Sequence, residues 1–494
     1  MRRGVNKLGV ELPTVGLFFV LALLFGWRVG TPVLHLWDEA RLAVNATEML
    51  GTGDWLVTRY HGQPDLWNTK PPLLIWLQAA SLYLLGYNTW ALRLPSVLAA
   101  LATAGMLYRF GREALGSRFV GMGAALVLAT SPGFNGTHVA RFGDYDALLC
   151  LGLTGTALNW YQYARQRQGR QLGRGAGWFA LALLTKSAAA LLVLPAVGLY
   201  LALRPDTRWV FGQWRTYGAI AGALLPLALF YGLREAAAPG YLAATWFNDW
   251  YGRLSQHIVT VSYPWWMYWQ RLAFPGLLVW SPFLLAGIGV GTRRDGTVGA
   301  APDFARFAAL FIFGFLVLIS GARTRLLWYS APVYPMAALL CALGVAQLAR
   351  HARNHWHWPK PLVVGTLTLA FLVSGGVLLS HEWHRWDTEQ SDFMLHYGYQ
   401  LPRLAASRPP LQPFTILCDR RNNAVLDFYV AALRKQGLRP QLVVVADSAL
   451  PALRPFQQVL MCAGPLQHLV HQRYATRPLT TEAPCEFVEI LGPR

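Results

Sequence analysis

The sequence predicts a polytopic α-helical membrane protein that carries a small α/β domain in its C-terminal part. Three observations predict it. Hydrophobic residues make up 54% of the 494 and charged residues only 14%, where a soluble chain is about one quarter charged. Apolar runs of roughly 16–22 residues recur along most of the chain, close to the length a helix needs to cross a bilayer. From about residue 395 the pattern changes to short strand-like runs.

The net charge of +19 does not point to nucleic acid. The arginines fall in short clusters between apolar runs, as the positive-inside rule produces. They belong against anionic membrane lipids.

The first run, at about 12–33, follows Arg2, Arg3 and Lys7 and has no small-residue cleavage motif, so it reads as a retained span. With the basic N-terminus inside, it exits and places segment 34–76 outside. Residues 71–86 are short for a span and read as a helix near the outer interface. The next span, 90–110, returns to Arg109, Arg112 and Arg118; 118–137 exits and delivers HVARFGDYD (138–146) outside. Span 147–164 returns to Arg165, Arg167, Arg170 and Arg174.

The run 177–203 is interrupted by Thr185-Lys186-Ser187. A lysine inside a span costs a few kcal/mol, so the run reads as two short spans meeting outside at Lys186. Span 215–233 exits to a loop, 234–268, bearing Trp246, Asp249, Trp250, Tyr251, Trp265 and Trp266. Span 270–291 returns to Arg293-Arg294, and 305–320 exits to GARTRLLWYSAP (321–332). Span 327–349 returns to Arg350, Arg353 and Lys360, and 361–380 leaves the tail outside. The expectation is eleven spans in a domain of residues 1–385, followed by a soluble outer domain of residues 395–494.

In that tail 414–418, 441–446, 457–462 and 485–491 read as buried strands and 424–436 as a helix. No glycine-rich phosphate loop is present, so the domain reads as a cap or an acceptor-choosing surface. Of five cysteines, Cys150 and Cys341 lie in apolar runs and behave as small hydrophobes. Cys418, Cys462 and Cys485 allow one disulfide whose pairing stays open. No pair has metal-ligand spacing.

The topology sorts Asp38, Glu39, Lys70, Asp144, Asp146, Lys186, Arg323 and Arg325 to the outer side. Asp38 and Glu39 open the long Trp-rich segment 34–76, and Lys70 stands before Pro71-Pro72 near its end. Asp38 also suits the start of a helix over 40–50. Two acidic sites on one face suit a general base and an electrostatic or metal-binding partner. Lys70, Arg323 and Arg325 suit an anionic group at headgroup level. Tyr329 suits a hydrogen bond to the same group, and Lys186 a supporting role. Acids that activate a hydroxyl beside cations that hold a phosphate point to transfer from a lipid phosphate donor.

The blocks WDEARLAVNATEMLGTGDWL, NTKPPLLIWLQAASLYLLG, ARFGDYDALL, LLTKSAAALLVLP and RTRLLWYSAPVYPMAALL, in that order, resemble the GT-C glycosyltransferases of the protein O-mannosyltransferase and aminoarabinose (lipid A) transferase superfamily. The tail resembles the periplasmic domain of the aminoarabinose transferases.

The resemblance implies transfer of a sugar, with inversion, from a polyprenyl-phosphate donor to a lipid, glycan or protein acceptor. It places the chain in the bacterial inner membrane, with the site and the C-terminal domain on the periplasmic side. By position, Asp38 corresponds to the acceptor-activating carboxylate with Glu39 beside it, Asp146 or Asp144 to the second acid, and Lys70 and Tyr329 to donor-phosphate contacts. Arg323 and Arg325 stand where relatives carry lysines. No cofactor is required; a divalent metal on Asp38 and Asp146 is an option. A transporter or flippase of a lipid-linked saccharide is the competing class, but the chain lacks the repeats and midplane charges that transporters use. A surface-glycan polymerase or ligase would differ in acceptor.

Overall fold

Six helices among the described residues are long and apolar enough to cross a membrane: Thr89–Glu113, Trp214–Ala237, Met267–Gly291, Ala300–Gly321, Leu327–Asn354 and Lys360–His384. A bent pair, Gly169–Leu191 and Val193–Leu203, turns by 70° and makes up to seven. Shorter apolar helices run over Leu12–Gly26, Leu73–Leu85 and Arg118–Ala129. Each of the eleven segments expected as spans falls on a helix, Asp146–Gln166 among them. The structure is a computed structural model describing residues 12–35, 37–256, 263–292, 300–389, 393–406, 413–418, 424–445, 450–482 and 484–494. Arg2, Arg3, Lys7, Arg293 and Arg294, which entered the topology argument, lie outside the described residues.

The chain divides into two units: one of residues up to Trp27, Thr69–Leu74 and Pro95–Ser380, and one of Arg28–Asn68, Ile75–Leu94 and His381–Arg494. In the first, the membrane unit, the helix Tyr334–Asn354 is the core. Every residue from Tyr334 to Ala346 is buried, as expected of a helix apolar on all sides. Helices approach closely where side chains are absent. A Cβ at Gly111 would lie 2.5 Å from the Gly121 backbone, and one at Gly287 would lie 2.0 Å from the Leu340 carbonyl. Small residues permit this packing where no hydrophobic effect draws helices together. Leu225, Leu229 and Leu233 on one outer helix, and Leu362, Leu369 and Leu372 on another, are exposed and suit lipid.

In the second unit, the helix Asp38–Thr52 ends on Gly53 at φ 70°, which a residue with a Cβ would adopt only with strain. A hairpin pairs Arg59–Tyr60 with Gln63–Pro64. Among the described residues the C-terminal sheet has five strands. Phe414–Cys418 is parallel to both Gln441–Val444 and Gln458–Met461, with Ile416 opposite Leu442 and Leu460. Gln458–Met461 is antiparallel to Cys485–Pro493, which pairs with Tyr474–Glu482 at the edge.

The four expected strands are present. The fifth, YATRPLTTE, lacks alternation and holds Pro478, which an edge strand tolerates. The disulfide joins Cys462 to Cys485 and leaves Cys418, buried in the strand Phe414–Cys418, outside it. The helix Ala424–Lys435 packs against Asp38–Thr52.

Candidate active site

Lys70, Asp146, Lys186, Asp249, Arg253 and Tyr329 line one cavity of about 280 Å³ in the membrane unit. Asp146 begins the helix Asp146–Gln166, where the positive end of the helix favours a carboxylate. Lys186 sits where the backbone leaves helical geometry, at φ −153° and ψ 78°. This is the interruption expected at Thr185-Lys186-Ser187. Its Nζ donates to both Asp146 oxygens at 3.0 Å. A buried carboxylate and ammonium are each costly alone, so the pair stands or falls together. Lys186 also lies 5.5 Å from the centre of the Tyr329 ring.

The opposite wall comes from the outer loop. Asp249 and Arg253 are one helical turn apart, with Arg253 Nε 3.8 Å from Asp249 Oδ1. Thr69 Oγ1 donates to Asp249 Oδ2 at 2.6 Å, and Lys70 Nζ lies 4.0 Å from Asp249 Oδ1. Tyr241 OH donates to the Thr69 carbonyl at 2.6 Å, holding the residue before Lys70. Arg253 donates from Nη1 to Tyr329 OH, and from Nε to the Asn248 carbonyl at 2.8 Å. The rest of the wall includes Leu149, Leu191, Leu192, Phe315, Leu318 and Ile319. The cavity therefore combines three cations and two carboxylates with an apolar side, the two chemistries of a lipid phosphate.

Lys70, Asp146 and Tyr329, singled out in the sequence, thus meet in one place, and Lys186 joins them as a direct lining residue. Asp249 and Arg253 were not singled out as site residues, because the loop 234–268 stands out in the sequence for its tryptophans. The available signal was an acid and an arginine four apart in NDWYGR, the spacing that places both on one helical face.

Asp144 does not line the cavity. His138 Nδ1 bonds its Oδ2 at 2.7 Å and the Tyr145 N–H donates to its Oδ1 at 2.7 Å. Burial raises the Asp144 carboxyl, but the His138 bond, the His138 and Lys186 charges and the Tyr145 N–H outweigh it and hold the group below its ordinary value. His138 takes φ 65° and stacks on Trp328 at 3.7 Å.

Arg323 and Arg325 do not line the cavity. Arg325 donates to the carbonyls of Tyr263 at 2.8 Å and Ser320 at 3.2 Å. The N–H groups of Arg323 and Thr324 donate to Leu254 and Arg253 carbonyls at 3.2 and 3.1 Å. That turn is stitched to the segment that presents Arg253. Of its two arginines, both expected at the donor phosphate, Arg325 turns its guanidinium to backbone carbonyls.

In the second unit, Asp38 is half-buried at the first position of its helix, where the helix end favours negative charge. Glu39 is fully buried and taken up by Arg93: Nε to Oε1 at 2.6 Å and Nη2 to Oε2 at 2.7 Å. The His35 N–H donates to Oε2 at 2.7 Å. Glu39, expected beside Asp38 as a catalytic acid, is therefore an anchor. Of the optional metal ligands Asp38 and Asp146, the second already has its charge matched by Lys186.

The crystal structure of ArnT from Cupriavidus metallidurans bound to undecaprenyl phosphate matches with a TM-score of 0.68 at 17% identity, over 97% of this chain and 98% of that one. The chain shares the fold of ArnT. The same ArnT in the apo state matches this chain at a TM-score of 0.64 and 18% identity, over 96% and 97% of the two. Residues 69–231 match the dolichyl-phosphate-mannose-protein mannosyltransferase family.

Among curated relatives, the undecaprenyl phosphate-alpha-4-amino-4-deoxy-L-arabinose arabinosyl transferase of Edwardsiella ictaluri is 27% identical over 67% of this chain and 60% of its own. The corresponding transferase 2 of Proteus mirabilis is 25% identical over 77% and 69%, and transferase 1 of Sodalis glossinidius 29% over 70% and 60%. The matched part of the chain spans 60% of the length of the Edwardsiella relative.

Proposed function

We propose that the chain is an integral-membrane glycosyltransferase that moves a sugar from a polyprenyl-phosphate carrier to a lipid, glycan or protein acceptor, with inversion. The observation that carries this reading is the cavity in which Lys70, Arg253 and Tyr329 stand against an apolar wall of membrane helices. A carrier phosphate has use for the cations, and its polyprenyl tail for the wall. The names of the relatives support undecaprenyl phosphate as carrier and 4-amino-4-deoxy-L-arabinose as the sugar. The charge parity of the sequence supports the periplasmic face of the inner membrane.

In the reaction, the bond between the anomeric carbon and the phosphate oxygen breaks, and its electron pair leaves with the carrier phosphate. The acceptor oxygen bonds the anomeric carbon from the opposite face and its proton passes to a carboxylate, a role that the sequence resemblance gives to Asp38. Lys70, Arg253 and Tyr329 OH stabilise the charge that grows on the departing phosphate. Asp249 orients the two cations, and Lys186 holds the Asp146 carboxyl in place.

The test is transfer in proteoliposomes from undecaprenyl-phosphate-linked aminoarabinose. Lys70→Ala and Arg253→Ala should each lower transfer about a hundredfold, the scale of one preorganised donor to a developing oxyanion. Asp38→Asn should abolish turnover while donor binding persists. Full transfer by the Lys70 and Arg253 variants would refute the assignment. For sidedness, an impermeant thiol reagent should label Thr52→Cys only from the periplasm, and labelling only from the cytoplasm would overturn that part.

A further inference from the structure

Another cavity, of about 200 Å³, lies in the membrane unit. Four helices build its wall, with Tyr163 from Asp146–Gln166, Leu172 from Gly169–Leu191, Leu201 from Val193–Leu203 and Ile220 from Trp214–Ala237. Among the described residues that line it none is charged. It is smaller than the roughly 300 Å³ at which pockets for drug-sized ligands begin, which suits a single apolar chain. Phe211 and Tyr217 also line it and are 44% and 57% exposed, so it opens outward beside them. Trp214 nearby in sequence is 76% exposed, and exposed rings at the end of a membrane helix mark the headgroup boundary.

The helix Asp146–Gln166 sets the depth of this cavity. Asp146, at one end, lines the Lys70 cavity, and Arg167 follows the other end. Its 21 residues measure about 30 Å, and the hydrocarbon core of a bilayer is about 30 Å thick. Arg167 therefore stands at headgroup level on the opposite membrane face. From Ala147 to Tyr217 the sequence holds one acid, Asp206, against seven arginines. Arg165 and Arg204 are matched: both pair with Asp206, and both reach Asp303 at 3.1 Å. Among the described residues no acid pairs with Arg167 or Arg208, and both are exposed. The Arg167 guanidinium lies 5.0 Å from the centre of the Trp209 ring, which packs edge-on against Tyr163 of the wall at 5.1 Å. Arg208 donates from Nε to the carbonyl of Ala202, next to Leu201 of the wall, at 2.8 Å. That bond leaves both of its Nη groups for a ligand.

We propose that this cavity seats one anionic phospholipid of the leaflet opposite the Lys70 cavity, with an acyl chain inside it and the phosphate between Arg167 and Arg208. Guanidinium forks match phosphate oxygens, and basic pockets between membrane helices hold acidic headgroups. A free anion would leave the apolar cavity without use, and a lipid without net charge would leave the two arginines unmatched. The site needs only a chain that crosses the membrane, so its failure would leave the transferase reading untouched.

The test is native mass spectrometry of the full chain in detergent micelles, titrated with dioleoyl phosphatidylglycerol or dioleoyl phosphatidylcholine. Phosphatidylglycerol should bind roughly twentyfold more tightly, two arginines at about fivefold each. Arg167→Gln and Arg208→Gln should each weaken it about fivefold. Gly198 lines the cavity, and a Cβ there meets nothing within 4 Å. Gly198→Leu therefore fills the seat without a clash and should weaken binding at least as much. The two arginine variants, on exposed side chains, decide the matter should the Gly198 variant fail to fold. Arg350→Gln, exposed in another basic cluster, and Lys70→Ala should bind like wild type. Equal binding of the two lipids would overturn the proposal. So would an equal loss in Arg350→Gln, which means a diffuse field, or a loss in Lys70→Ala with none in Gly198→Leu, which puts the lipid in the Lys70 cavity. Glycerol 1-phosphate competing as strongly as phosphatidylglycerol would overturn it too, since the acyl chain would then contribute nothing.

Discussion

Replacing Glu39 by glutamine removes a charge from a place where nothing else can supply it. The Glu39 and Arg93 side chains are 0% and 2% exposed, and the carboxylate accepts at 2.6 and 2.7 Å from the guanidinium and at 2.7 Å from the His35 N–H. A glutamine keeps one acceptor oxygen and turns an NH₂ toward donors. Removing one partner of a buried ion pair costs about 3–5 kcal/mol. Arg93 also donates to the carbonyls of Val29, Pro32 and Val33 at 2.8–2.9 Å, and these remain, so the lower end, about 3 kcal/mol, is expected.

The assay is a double-mutant cycle of Glu39→Gln, Arg93→Met and the double variant, read by chemical denaturation of the full chain in detergent. A coupling of about 2 kcal/mol or more is expected. The double variant should remain well below wild type, because three buried carbonyls lose their donor. Strictly additive singles, or a Glu39→Gln protein as stable as wild type, would refute the anchor.

Three further expectations follow from the same geometry. Tyr329→Phe, which removes the hydroxyl that Arg253 meets, should lower kcat/KM about tenfold with unchanged protein yield, measured by transfer assay. Burial raises the Asp65 carboxyl, but bonds from Arg41 and Asn45 outweigh it and the net shift is downward. The unfolded chain therefore binds the extra proton first. The stabilisation is complete above the ordinary carboxylate value of 3.8 and is lost as pH falls through the lower folded value. Asp65→Asn should therefore show a shallower loss of stability over that acid range, and an unchanged slope would count against the network. Reducing the Cys462–Cys485 bridge, whose ends are 23 residues apart, should destabilise the C-terminal domain by about 3 kcal/mol, read as its melting with and without reductant.

The membrane character and the order of helices were legible because both are local. A span announces itself by length and apolarity, and the break at Lys186 by the cost of a lone ammonium. Lys70, Asp146 and Tyr329 stood out because they are charged or polar beside turns on the outer side. Arg253 did not, since its meaning comes from Tyr329, 76 positions away. Arg325 looked like a phosphate ligand from its charge alone, and only its bonds to the Tyr263 and Ser320 carbonyls show a different use. The edge strand Tyr474–Glu482 was missed because it borrows its geometry from its neighbour, Cys485–Pro493, rather than from its own alternation.

What the sequence determined by itself, then, was the solvent of each segment: which stretches belong in hydrocarbon, which at its surface, and which in a small folded domain, because partition depends on composition over a window. Tertiary structure decided which charges share a cavity and which are spent on the backbone. Ion pairs such as Asp146 with Lys186 and Glu39 with Arg93 act over about 3 Å between residues 40 and 54 positions apart. Those distances exist only once the helices have packed.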